Sequence, residues 1–109
     1  MRLVFSIFSV TLCLLWSVTA SRGQNLRQTA ASDSCMIEAS MAFNLHDTQK
    51  ATELCRKALE FNSKNDAAYY MLAKIAIGEG DYLQAEKQLR DAAQIDSANY
   101  YYMATLGAI

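Results

Sequence analysis

The sequence predicts an all-α fold of stacked helical hairpins, behind an N-terminal export signal. Three observations predict it. Slid along itself by 34 residues, the chain places Ala39 on Ala73, Ala42 on Ala76, Asp47 on Asp81 and Ala51 on Ala85. It also places Arg56 on Arg90, Ala58 on Ala92, Ser63 on Ser97 and Asn65 on Asn99, without a gap. A fixed period of this length marks a stacked-repeat architecture, whose members mostly bind partners rather than catalyse. Within each period, apolar residues recur at helical spacing between Asp, Asn and Gly punctuation. The first twenty residues stand apart: one basic residue, then an apolar stretch.

The elements follow in order. Arg2 supplies a positive start, and Leu3 to Val18 is apolar apart from Ser6, Ser9, Thr11 and Ser17. Val18-Thr19-Ala20 then places small residues before Ser21. This is the layout of a secretory signal peptide over residues 1–20, cleaved near Ala20, with a second small-residue site before Gln24. An uncleaved anchor is the alternative, although the stretch is short for a span of about 20 residues. Residues 21–31 read as a flexible leader. Ser32, Asp33 or Ser34 caps a first helix running to about Asn44, with Met36, Ile37, Met41 and Leu45 as apolar positions. Asp47 caps a second helix with Ala51, Cys55, Ala58 and Leu59 inward. Asp66 opens a third, carrying Tyr69, Leu72, Ala73 and Ala76, which Gly78-Glu79-Gly80 ends. Asp81 caps a fourth, with Tyr82, Ala85, Leu89 and Ala92 inward. The repeats are thus 32–65 and 66–99, and 100–109 starts a third. Ala39 with Ala51, and Ala73 with Ala85, mark where two antiparallel helices approach closely.

Composition narrows the function. The chain has 109 residues, enough for one small domain, and a formal charge of -1. Near-neutrality gives no reason to expect nucleic acid or an anionic membrane surface as partner, so a membrane enters only through an uncleaved signal. The single histidine, His46, lies in a turn, and Glu38 has no second polarised group beside it, so no catalytic residue is assigned. Two cysteines without a neighbouring histidine argue against a metal site, and no cofactor is implied.

The pattern resembles the tetratricopeptide repeat, as found in exported bacterial proteins. The second unit carries the likeness in Tyr69, Leu72-Ala73, Gly80-Asp81-Tyr82, Ala85, Leu89, Ala92 and Ile95-Asp96. The third begins in register with Met103, Leu106 and Gly107. The first departs: Glu38 holds the usual leucine position and His46 the usual turn glycine. The resemblance implies a right-handed α-solenoid whose first helices line a concave groove. By position, that groove comprises Met36, Ser40, Phe43, Tyr70, Lys74, Ile77, Tyr101 and Ala108. It is apolar and aromatic with one cation, and a carboxylate clamp is disfavoured because only Lys74 fits one.

Cys35 and Cys55 invite a further argument. Facing residues of an antiparallel hairpin keep a constant index sum, and Cys35 with Cys55 share the sum of Ala39 with Ala51. The pair is either a disulfide closing a loop of about 20 residues, contributing roughly 3 kcal/mol, or two buried free thiols. Tyr100, Tyr101 and Tyr102 cannot all be buried on one helix, so at least one is expected to be exposed. The uncharged run Met103 to Ile109 is a poor solenoid cap, so a longer gene product or docking on another subunit is expected.

The function these features imply is a non-enzymatic scaffold, periplasmic or secreted, binding a peptide or helix of a protein partner in the groove. Two alternatives stand beside it. One is the regulatory N-terminal part of a longer envelope enzyme, such as a peptidase. The other is a small protein that self-associates through its third-repeat helix.

Overall fold

A computed structural model describes residues 25–109; residues 1–20, read as a signal peptide, and residues 21–24 of the expected leader lie outside the described residues. Five helices follow one another, with no strand among the described residues. They are α1 (residues 25–44), α2 (Thr48–Phe61), α3 (Asp66–Glu79), α4 (Tyr82–Ile95) and α5 (Tyr100–Ala108). Consecutive helices pack on one another, α2 on α3, α3 on α4 and α4 on α5. The fold is all-α, two helical hairpins and the first helix of a third.

The hairpins close as the small residues require. Ala39, Ala51, Ala73 and Ala85 are all fully buried, as the expected close approach of the two helices in each repeat requires. Around the first pair lie Cys35, Ala42, Cys55 and Ala58, joined by Ala68, Met71 and Ile75 from α3. In α4, Leu89 and Ala92 are fully buried. Tyr82, expected inward, is instead exposed, because it sits in the first turn of α4 at the edge of the hairpin.

The turns inside the two hairpins share one geometry. Asp47 accepts from the Lys50 N–H, and Asp81 from the Gln84 N–H, each at 3.2 Å, so both aspartates cap their helices. Ahead of each cap, the backbone N–H of Asp47 reaches Ala42 O and that of Asp81 reaches Ala76 O, both at 2.9 Å. This wrap needs a left-handed residue. Gly80 supplies it at φ 78°, and His46, one period earlier, adopts φ 62° without glycine's freedom.

The expected start of α1 is corrected. Residues 25–31 are helical and continuous with the first repeat, so Ser32, Asp33 and Ser34 cap nothing and no leader separates off at residue 31. No glycine or proline interrupts this stretch, and Leu26, Gln28, Ala30 and Ala31 favour helix. Ser32 is fully buried instead. Its Oγ donates to Ala58 O at 2.7 Å and accepts from Asn65 Nδ2 at 2.7 Å. One hydroxyl thereby ties α1 to the end of α2 and the start of α3. The buried stripe of α1 is Ser32, Cys35, Ala39 and Ala42, whereas Ile37, Met41 and Leu45 face away from the hairpin.

Candidate functional site

The first helices of the repeats carry a chain of stacked side chains. Phe43 lies on the last turn of α1; Tyr70 and Lys74 lie one turn apart on α3. The Lys74 Nζ is 5.1 Å from the Phe43 ring centroid and 5.1 Å from that of Tyr70. A cation held over two aromatic faces is attracted by both ring quadrupoles, and more strongly where water is partly excluded. Lys74 is half-buried, so the contact ties α1 to α3 through one ammonium group. On its other side Tyr70 meets Tyr102 of α5, with ring centroids 5.1 Å apart and planes tilted by 44°. The stack Phe43–Lys74–Tyr70–Tyr102 therefore runs across all three first helices.

Tyr102 is anchored rather than displayed. It is buried, and its hydroxyl donates to Asp66 Oδ2 at 2.6 Å. Burial raises the affinity of the phenol for its proton, and the Asp66 carboxylate adds to this by hydrogen bond and by charge. Tyr101 and Tyr100 are 70% and 77% exposed and lie edge to face, 6.3 Å apart between centroids. The expectation that the tyrosine run could not all be buried holds: one of the three is inside and two are out.

Of the groove residues read from the sequence, the structure brings Phe43, Tyr70 and Lys74 into direct contact. Met36 is half-buried and packs on the first-repeat core, as does part of Phe43. Ser40 and Tyr101 are exposed. Ile77 stands apart from the stack, lining a depression of about 430 Å³ with Tyr82, Thr105, Ala108 and Ile109. Tyr102 was not assigned from the sequence. The available signal was register, since it stands one period after Ala68, which is fully buried.

Between α2 and α4, above α3, lies a polar groove of about 420 Å³, with Thr52, Glu53, Arg56, Gln84 and Gln88 on its walls. Gln88 Oε1 is buried there without a hydrogen-bond partner. The two surfaces differ in kind: one offers ring faces, the other amides and charges.

Cys35 and Cys55 fall in one core cluster, and in the structure both are free thiols. They serve as small apolar side chains, and burial pushes the Cys55 thiol up to about 11. Packed helices commonly lie 8–10 Å apart, wider than a bridge favours. Among the described residues no three His, Cys, Asp or Glu side chains gather as a metal site would need. No helix among them is long and apolar enough to cross a membrane.

No curated protein matches the chain. A family model described as tetratricopeptide repeat matches residues 42–106, spanning both inner hairpin turns and most of α5. With the 34-residue period, the paired alanines and the packing of successive helices, this match establishes that the chain belongs to the tetratricopeptide repeat family.

Proposed function

We propose that the protein is a non-enzymatic scaffold, exported to the periplasm or the cell exterior, that holds a peptide or helix of a protein partner on the face shared by α1, α3 and α5. Repeats of this family generally mediate protein–protein interaction, and their all-α fold is typically non-enzymatic. The observation that carries the reading here is the stack of Phe43, Lys74, Tyr70 and Tyr102, with Tyr101 exposed beside it. The half-buried Phe43 and Tyr70 and the exposed Tyr101 present ring area with little rotamer entropy to lose, which suits recognition of an apolar or aromatic segment, while the buried Tyr102 braces Tyr70. The stack also holds the three helices at fixed spacing, so that the surface is preorganised. Export is supported by the sequence of residues 1–20.

The test is selection from a displayed peptide library on the immobilised protein, in parallel with the Tyr70→Ala/Lys74→Ala and Tyr101→Ala variants. Peptides enriched by the parent and lost from the variants support the reading. Enrichment indifferent to all three substitutions, or none at all, removes it. Export is tested separately, by N-terminal sequencing of the protein recovered outside the cytoplasm, with Ser21 or Gln24 expected as first residue.

A further inference from the structure

We infer that the outer face of α1 is a self-association surface, on which a second copy of this chain packs its own α1 antiparallel about a two-fold axis. Leu26, Ile37, Met41 and Leu45 are 73%, 64%, 54% and 80% exposed. At 100° per residue, Leu26, Ala30, Ile37 and Met41 form one stripe, about 22 Å long at 1.5 Å per residue.

The period explains what this face is for. Ile37 and Met41 stand one repeat before Met71 and Ile75, which are 7% and 5% exposed in the core that α3 shares with α2. The same positions are thus covered in the second repeat and bare in the first, among the described residues. The face is the repeat-to-repeat packing surface continued one step outward. The helices of a second copy equivalent to α2 and α4 are already occupied by α3 and α5. What a copy can offer is an unpartnered helix face of its own.

Charge selects α1 and its direction. Between residues 25 and 44 the charged side chains are Arg27, Asp33 and Glu38, all exposed. Arg27 and Glu38 flank the stripe on the same side, about three turns apart, with opposite sign. Antiparallel pairing sets each Arg27 against Glu38 of the second copy, at both ends. It also sets Leu26 against Met41, two large side chains, and Ala30 against Ile37, small against large. Parallel pairing about a two-fold along the helices would place these flanks on opposite sides of the interface, leaving Arg27 and Glu38 without a partner across it. Asp33, near the two-fold axis, is the one charge that meets its twin. Three large side chains per copy, with their neighbours, bury roughly 1,000 Å², at the lower edge of specific interfaces, so the dimer is weak and reversible. Leu45 lies beyond the overlap. The surface is separate from the stacked face, which occupies the flank of α1 that carries Phe43.

Sedimentation velocity over a concentration series tests this, on the chain from Ser21 onward so that the apolar residues 1–20 do not themselves associate. A reversible monomer–dimer equilibrium is expected, with Ile37→Glu/Met41→Glu fully monomeric and its helical circular dichroism unchanged, since both side chains are exposed. Arg27→Glu should weaken the dimer roughly tenfold, and Arg27→Glu/Glu38→Arg should restore it. Asp33→Asn should tighten it. The inference is overturned by a chain monomeric at every concentration, or by a dimer that survives Ile37→Glu/Met41→Glu. It is equally overturned by a dimer that dissociates on Met103→Glu/Leu106→Glu instead, or by an open series of larger species, which marks head-to-tail association.

Discussion

At the joint between the first and second repeats, Ser32 donates to Ala58 O and accepts from Asn65, and serine and asparagine are both buried. At the next joint, 34 residues on, Asp66 stands where Ser32 stood, and Tyr102 reaches back to it. Asn99, the counterpart of Asn65, is released from the joint and caps α5, accepting from the Tyr101 N–H at 3.0 Å. Both joints solve one problem: each first helix must be tied to the next. The first uses a neutral hydroxyl sealed from water, the second a part-exposed carboxylate and a phenol. Buried polar groups are expensive to orphan, whereas part-exposed ones can fall back on water, so the joints should fail differently.

The largest effect is expected in the core beside the joints. Leu89→Ala empties a fully buried site in the second repeat and should cost about 2–5 kcal/mol in urea unfolding. Cys55→Ala, at the equivalent position in the first repeat, removes one sulfur and should cost about 1 kcal/mol. Equal losses would show that the two cores are not packed alike around unequal side chains.

Next come the joints themselves. Ser32→Ala strands the Asn65 amide and should cost roughly 1–3 kcal/mol, whereas Tyr102→Phe leaves Asp66 to water and should cost about 1 kcal/mol. The reverse order, read from thermal or urea midpoints, would refute the contrast between them.

His46→Gly should then stabilise the first hairpin by about 1 kcal/mol, by relieving its left-handed backbone, and Gly80→His should destabilise the second by a similar amount. A neutral His46→Gly would mean that the turn of the first repeat carries no strain.

The smallest effect is a pH dependence. The folded protein holds the protons of Cys55 and Tyr102 more tightly than the unfolded chain does. Their contribution is therefore whole below pH 9 and lost as pH rises, first across the Cys55 range from 9.0 to about 11. Above the ordinary tyrosine value of 10.0, Tyr102 adds to that loss. Unfolding free energies of Tyr102→Phe and Cys55→Ala, measured from pH 8 to 11, should each fall less steeply than the parent's. A parent curve flat over that range would remove both groups from the account.

Part of the candidate site is legible in the sequence. Phe43, Tyr70 and Lys74 occupy groove positions by register alone, and the structure brings them into contact. Tyr102 is marked only by register, one period after Ala68, whose burial the structure supplies, and its bond to Asp66 is not written in the run of three tyrosines. Cys35 and Cys55 fall on one interface by their index sum; whether their sulfurs join depends on an interhelical distance that no index contains. Their masses after alkylation, with and without reduction, decide whether the bond forms: equal masses are expected of the free thiols in the structure.

The sequence by itself determined the period, the antiparallel pairing of helices within each repeat, the alanine contacts and the aspartate caps. These are local interactions, or ones copied at a fixed offset, and the chain states them twice. Tertiary structure decided where α1 begins, what Ser32 does and which of two apolar stripes on α1 is buried. Met36, Ile37, Met41 and Leu45 have the spacing of an inward face, yet the small residues Cys35, Ala39 and Ala42 took that place. The physical reason is close packing. A hairpin closes on the face that lets its backbones approach, and the larger side chains are left for whatever packs against the outside.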